Sequence, residues 1–134
     1  MTPLKQHNVF KTLTEEQKNA VFSDARVIGV DASAGSGKTR VLTARILRLL
    51  IEKQIDLNDI VAITFTEKAS AEMKQRLRDA FREFATHANS QELTRWRWLE
   101  QQLESAHICT IHSFCSSILR EYALKLGFDP DFRI

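Results

Sequence analysis

The chain lacks the features that mark several large classes of protein. Two cysteines and two prolines in 134 residues exclude a disulfide-stapled secreted miniprotein and make a reducing cytoplasm the expected compartment. Four glycines without a repeating period exclude a collagen-like fibre. The longest apolar runs, Leu49-Leu50-Ile51 and Ile60-Val61-Ala62-Ile63, fall far short of the ~20 residues a membrane helix needs. Lys5, His7 and Lys11 interrupt any apolar region after Met1, so no secretory leader and no membrane partner are expected. Charge of one sign is also missing. The 19 Lys+Arg against 17 Asp+Glu leave a net +2, too little to argue nucleic-acid binding by itself. What is present is 43% hydrophobic content, one domain's worth of chain with apolar material for a core, which excludes a disordered tail.

The apolar pattern alternates between strand-like and helix-like segments. Val27-Ile28-Gly29-Val30 is a short apolar run leading into a loop of small residues, which predicts a strand. Leu42, Ile46, Leu49 and Leu50 then recur at i, i+4, i+7 and i+8, with Arg40, Arg48 and Glu52 elsewhere, which predicts an amphipathic helix. Ile60 to Phe65 has no polar alternation, as in a parallel strand buried on both faces. Ala69, Met73, Leu77, Ala80 and Phe84 mark a highly charged helix, whose charges read as a solvated face of i,i+4 pairs. Ile108 to Ile111 predicts a third strand. A last helix carries Phe114, Ile118, Tyr122 and Leu126 and stops at Gly127 and Pro130. Residues 85–106 break the rhythm and predict a helical insert containing Trp96 and Trp98. The sum is an α/β fold, a parallel sheet flanked by helices with right-handed crossovers.

Ala32-Ser33-Ala34-Gly35-Ser36-Gly37-Lys38-Thr39 fits the P-loop spacing, with Ala in place of the leading Gly. Small residues let backbone N–H groups turn inward around phosphate oxygens, and the following helix offers its positive end. The motif predicts ATP and Mg²⁺ as cofactors, with Lys38 reaching the β- and γ-phosphates and the Thr39 hydroxyl on Mg²⁺. These two residues are the candidate catalytic pair.

Three further segments stand in order around the loop: Leu13-Thr14-Glu15-Glu16-Gln17 before it, then Ala62-Ile63-Thr64-Phe65-Thr66-Glu67-Lys68-Ala69-Ser70-Ala71-Glu72-Met73 and Thr110-Ile111-His112-Ser113-Phe114-Cys115. Together the four segments resemble the N-terminal motifs of UvrD/Rep-type superfamily 1 DNA helicases. Phe128 to Ile134 and the long insert are most similar to the AddA/RecB helicase–nuclease branch. The resemblance implies that residues 1–134 are the N-terminal, ATP-binding portion of a RecA-like P-loop NTPase domain. It implies an ATP-dependent 3′–5′ helicase or translocase of recombination or double-strand-break repair, with single-stranded DNA as partner. The remainder of the parent motor, including a second RecA-like domain, is implied with it, as is a helicase–nuclease partner subunit.

The resemblance assigns Gln17 to the adenine edge and Arg40 to a place beside the base. Gln17 also completes a capping box with Thr14, and both roles stand. It assigns Thr64, Phe65 and Thr66 to DNA, the ring stacking on a base and the hydroxyls holding phosphates; a core role for Phe65 is the competing reading. Thr110, His112 and Ser113 are assigned to a DNA phosphate, against Ser113 as a plain N-cap. Cys109, His112 and Cys115 lack a fourth ligand at zinc spacing and a third group that would orient a nucleophile, so the cysteines read as buried small hydrophobes. After the P-loop no apolar run ends in Asp-Glu, the acidic pair that holds Mg²⁺ and positions water. The chain is therefore expected to bind but not to turn over ATP alone. The alternative is a short non-catalytic nucleotide- or DNA-binding module that regulates a partner motor. A P-loop kinase would leave the segments at Thr64 and Thr110 without a role.

Overall fold

Thr14 opens the first long helix because it and Gln17 satisfy each other's backbone N–H groups in a reciprocal capping box. In the computed structural model, which describes residues 7–31, 33, 35–127 and 129, the element order follows. A short helix α1 (Asn8–Lys11) precedes α2 (Glu15–Phe22) and α3 (Lys38–Glu52). A 3₁₀ turn at Leu57–Asp59 leads into β1 (Ala62–Thr64), α4 (Glu67–Thr86), α5 (Ser90–Gln102), β2 (Ile108–Thr110) and α6 (Ile111–Leu126). The fold is helix-rich. Among the described residues its sheet consists of two parallel strands in register, Ala62 beside Ile108, Ile63 beside Cys109 and Thr64 beside Thr110.

The expected strand at residues 27–30 is not formed. The segment is irregular and Val27 is 85% exposed. A strand exists only when its N–H and C=O groups pair with a neighbour, and no described residue pairs with this run. The apolar character of Val27 to Val30 thus stays on the surface.

The helical stripe of α4 packs as its spacing predicts: Met73, Leu77, Ala80 and Phe84 are buried, joined by Phe81. Asn89 and Glu92 form a second capping box that starts α5 three residues after α4 ends, so the two helices fold back on each other. Arg82 pairs with Glu100 at 2.7 Å and Arg78 with Glu104 at 2.6 Å, an antiparallel register. Two of the charges expected to pair along α4 thus reach across instead, Arg82 to α5 and Arg78 to Glu104 just after it. Trp96 is buried in the seam, stacked on Phe84 and Phe81 with centroids 4.8 and 5.9 Å apart, whereas Trp98 is exposed.

Helix α3 corrects the expected face. Leu42 is exposed and Leu49 only half-buried, while Leu47 and Arg48 are buried. The helix packs against both α2 and α4, so its covered arc is wider than a single stripe. Arg48, at 4% exposure, is tolerated inside because all three guanidinium nitrogens are hydrogen-bonded. It donates to the carbonyls of Val21 and Ser23, to Asp24 at 2.6 Å and to Glu52 at 2.7 Å. Arg45 donates to the carbonyls of Ala20, Val21 and Ser23. Two arginines thereby satisfy the open C-terminal end of α2 and hold it to α3. On α6, Ile118 and Tyr122 are exposed and Ala123 is buried, so the expected stripe is turned outward. Gly127 ends the helix at φ 73°, as expected. Pro130 lies outside the described residues.

Replacing Arg48 with alanine removes one of the two arginine donors to the Val21 and Ser23 carbonyls and the link from α3 to Asp24. Arg48→Ala is expected to lose about 1–2 kcal/mol of unfolding free energy in urea denaturation, and an unchanged midpoint would contradict the latch.

Candidate functional site

Two places gather the chemistry-bearing residues. The first is the loop ahead of α3. Gly35 and Gly37 adopt φ 78° and 81°, a left-handed conformation that only glycine takes without strain. Gly37 is the N-cap of α3 and supplies no side chain to its first turn, so the helix presents open N–H groups and its positive end. A Cβ on Gly37 would stand 3.2 Å from Gln17 Nε2, a second reason for glycine there.

Gln17 braces this loop from α2. Its Nε2 donates to the Ser36 carbonyl at 3.0 Å, and its Oε1 accepts from Thr14 N and from Arg40, both at 3.1 Å. Arg40 also donates to the Thr12 carbonyl at 3.0 Å. Lys38 is exposed, and its ammonium donates to the Ser33 carbonyl at 2.8 Å. Thr39 is half-buried in the first turn. Residues 35–40, Gln17 and Arg76 line an open cleft of 560 Å³. Within this group Ser36 Oγ and Arg40 Nε are buried with no hydrogen-bond partner among the described residues. The open N–H groups and the cationic side chains suit a polyphosphate. Ala32 and Ala34, expected in this site, lie outside the described residues.

Arg76 is the residue that sequence reasoning missed. It stands among alternating charges on α4 and reads as solvent-facing, yet it lines the cleft and has no ion-pair partner among the described residues. Only its spacing along α4 from the segment at Thr64 could have singled it out.

The second place is the edge where both strands end. The register of Thr64 with Thr110 brings the segments after them side by side. Phe65 is 103% exposed, which removes the core reading. Thr66 caps α4 through Ala69 N at 3.1 Å, and the Thr64 hydroxyl donates to the Thr66 carbonyl at 3.0 Å. His112 is exposed. Thr110 is 7% exposed and accepts from Ser113 N at 3.3 Å, so Thr110, rather than Ser113, caps α6. The Thr110 and Ser113 hydroxyls both lie against Glu67 Oε1, at 2.8 and 3.0 Å. The Thr110 and Ser113 bonds hold the Glu67 carboxyl below the usual carboxylate range.

Cys115 is exposed and Cys109 half-buried, so neither is the fully buried residue expected. Burial pushes the Cys109 thiol up, away from nucleophilic use. No group of three His, Cys, Asp or Glu side chains able to hold a metal occurs among the described residues. No described helix is long and apolar enough to cross a membrane.

Residues 13–134 match the family model of the UvrD/REP helicase N-terminal domain. The chain belongs to this family. Curated relatives at similar distances include AddA, the ATP-dependent helicase/nuclease subunit of Ligilactobacillus salivarius, 40% identical over 129 residues, covering 95% of this chain and 10% of that protein. The corresponding proteins of Geobacillus thermodenitrificans and Heliobacterium modesticaldum are 42% and 39% identical, each across 90% of this chain and 10% and 8% of theirs. The chain thus spans about a tenth of the length of the relatives it matches. A helix-rich chain with a small parallel sheet is consistent with part of a RecA-like UvrD N-terminal domain.

Two outcomes follow from this geometry. Gly37→Ala forces a left-handed alanine against Gln17 and is expected to cost about 1–3 kcal/mol, read by thermal unfolding; unchanged stability would contradict it. For Glu67, the folded-state pKa is depressed, so its stabilising effect is full above the usual carboxylate range and is lost as pH falls through the depressed value. In a carboxyl NMR titration Thr110→Val should move the Glu67 midpoint back up, and an unmoved midpoint would exclude the contact.

Proposed function

We propose that this chain is the N-terminal, ATP-binding portion of the first RecA-like motor domain of an AddA-type ATP-dependent DNA helicase–nuclease. The observation that carries the reading is the pairing, in one small fold, of a glycine-built cleft lined by cationic side chains and a fully exposed Phe65 at the end of a parallel strand. Ligands bind at such strand ends in open α/β sheets.

In this reading residues 32–37 wrap phosphate oxygens with backbone N–H groups, Lys38 reaches the β- and γ-phosphates, and the Thr39 hydroxyl holds Mg²⁺. Arg40 and Gln17 lie beside the adenine, and Arg76 adds a third cation to the lining of the cleft. Thr64, Phe65 and Thr66, with Thr110, His112 and Ser113, form the single-stranded DNA edge. A stacking ring is indifferent to sequence, as a translocating motor requires. The parent would move 3′–5′ in recombination or break repair, in the cytoplasm, closing a second RecA-like domain over the cleft. It would work with a helicase–nuclease partner subunit. Residues 85–106, with α5, are a helical insert of this domain. The acidic Mg²⁺-holding pair and the arginine finger belong to the remainder of the parent, so this piece binds ATP without turnover. The family match and the AddA relatives support the reading.

Lys38→Ala is expected to abolish binding of a fluorescent ADP analogue, and equal affinity in both proteins would defeat the nucleotide assignment. Phe65→Ala is expected to weaken oligothymidylate binding roughly 5- to 150-fold, with strong salt dependence and no preference among sequences. A marked preference for one oligonucleotide in competition would contradict the DNA assignment.

A further inference from the structure

Three polar oxygens meet where the two strand-to-helix junctions touch. Glu67 Oε1 lies 2.8 Å from Thr110 Oγ1 and 3.0 Å from Ser113 Oγ, and the two hydroxyls lie 3.0 Å from each other. Two hydroxyl protons are available for the three contacts, so at most two of them are hydrogen bonds at once. Only an acceptor without a proton of its own lets both hydroxyls donate at once. Without Glu67, the buried Thr110 hydroxyl keeps the Ser113 N–H it accepts, and its own proton has only the Ser113 hydroxyl to donate to. The first turn of α4 is itself fixed, since the buried Ser70 donates to the Glu67 carbonyl at 2.9 Å and Thr66 caps Ala69 N.

A carboxylate at this edge is costly if DNA phosphates pass beside it, because like charges repel. Its presence asks for a compensating role. Phe65 precedes Glu67 by two residues, and His112 lies between the two residues whose hydroxyls Glu67 accepts. We infer that Glu67 is a positioning residue for single-stranded DNA: its carboxylate ties the start of α4 to the start of α6, so that Phe65 and His112 are held at one fixed separation. The inference rests on reading this edge as the DNA site. It assigns Thr110 and Ser113 an indirect part, through the clamp. The role belongs to the acceptor oxygens and their reach, while the negative charge is incidental to it.

The test uses the 134-residue chain, with fluorescence anisotropy of a labelled oligothymidylate and a parallel titration with a fluorescent ADP analogue. Glu67→Ala removes the acceptor, Glu67→Gln keeps an acceptor oxygen at the same reach without charge, and Glu67→Asp keeps the charge but shortens the reach. Glu67→Ala and Glu67→Asp should each weaken oligonucleotide binding by about five- to tenfold. Glu67→Gln should stay within about twofold of the parent, and ADP binding should be unchanged in all three. In a Phe65→Ala background, Glu67→Asp should have almost no further effect, because the ring it positions is gone. Tighter binding in both Glu67→Ala and Glu67→Gln would overturn the inference in favour of simple repulsion. So would parent-like binding in Glu67→Asp, or a Glu67→Gln protein as weak as Glu67→Ala. Should Glu67→Ala fail to fold, Glu67→Asp and Glu67→Gln still decide the matter. If Phe65→Ala binds the oligonucleotide like the parent, the DNA reading itself fails and the inference falls with it.

Discussion

The parallel pairing that sets Thr64 beside Thr110 is the constraint on which the rest of the molecule depends. Parallel strands end at the same edge, so the residues that leave them are neighbours by construction. Here both departures enter helices at once, α4 after Phe65 and Thr66, and α6 directly after Thr110. The junctions present Phe65 and His112 to solvent and place Glu67 within reach of the Thr110 and Ser113 hydroxyls. From the same edge α4 runs back across the molecule. Nine residues of helix, about 14 Å of rise, separate Glu67 from Arg76, which lines the glycine cleft. One helix therefore has one end at the strand edge and its middle at the candidate nucleotide site.

The cleft is held by a different set of contacts. Gln17 is shared among its own helix cap, the Ser36 carbonyl and Arg40, which couples the position of α2 to the conformation of the loop. Arg45 and Arg48 fasten the other end of α2 to α3. Asp24 completes this latch, and the Arg48 and Lys53 bonds pull its carboxyl below the usual range. Helix α2 is thus pinned at both ends against the helix whose N-terminus the loop opens.

How much of this is legible in the sequence differs by element, for physical reasons. The glycine loop is legible because left-handed φ values and an N-terminal helix turn leave a steric signature in Gly35, Gly37 and the residues after them. Helix α4 is legible because one face meets the core and its stripe keeps a single period. Helix α3 misleads at Leu42 and Arg48 because it is covered from two sides, and a buried arginine depends on carbonyls of Val21 and Ser23 that no local pattern reveals. The apolar run at Val27 to Val30 reads as a strand because apolar content predicts burial, whereas strand formation needs a partner. The Glu67 clamp joins residues 43 and 46 positions apart, and Arg76 is concealed by the charges around it. The clamp becomes visible only when the strand register is known, and Arg76 only when the lining of the cleft is.

The central claim is that one small fold carries a nucleotide cleft and a single-stranded DNA edge joined by α4. Photocrosslinking of a short oligothymidylate to the chain, with adducts mapped by mass spectrometry, tests it most directly, because crosslinking registers weak binding. The account predicts adducts centred on Phe65 and His112. Adducts confined to the exposed Trp98, or none at low salt, would contradict it.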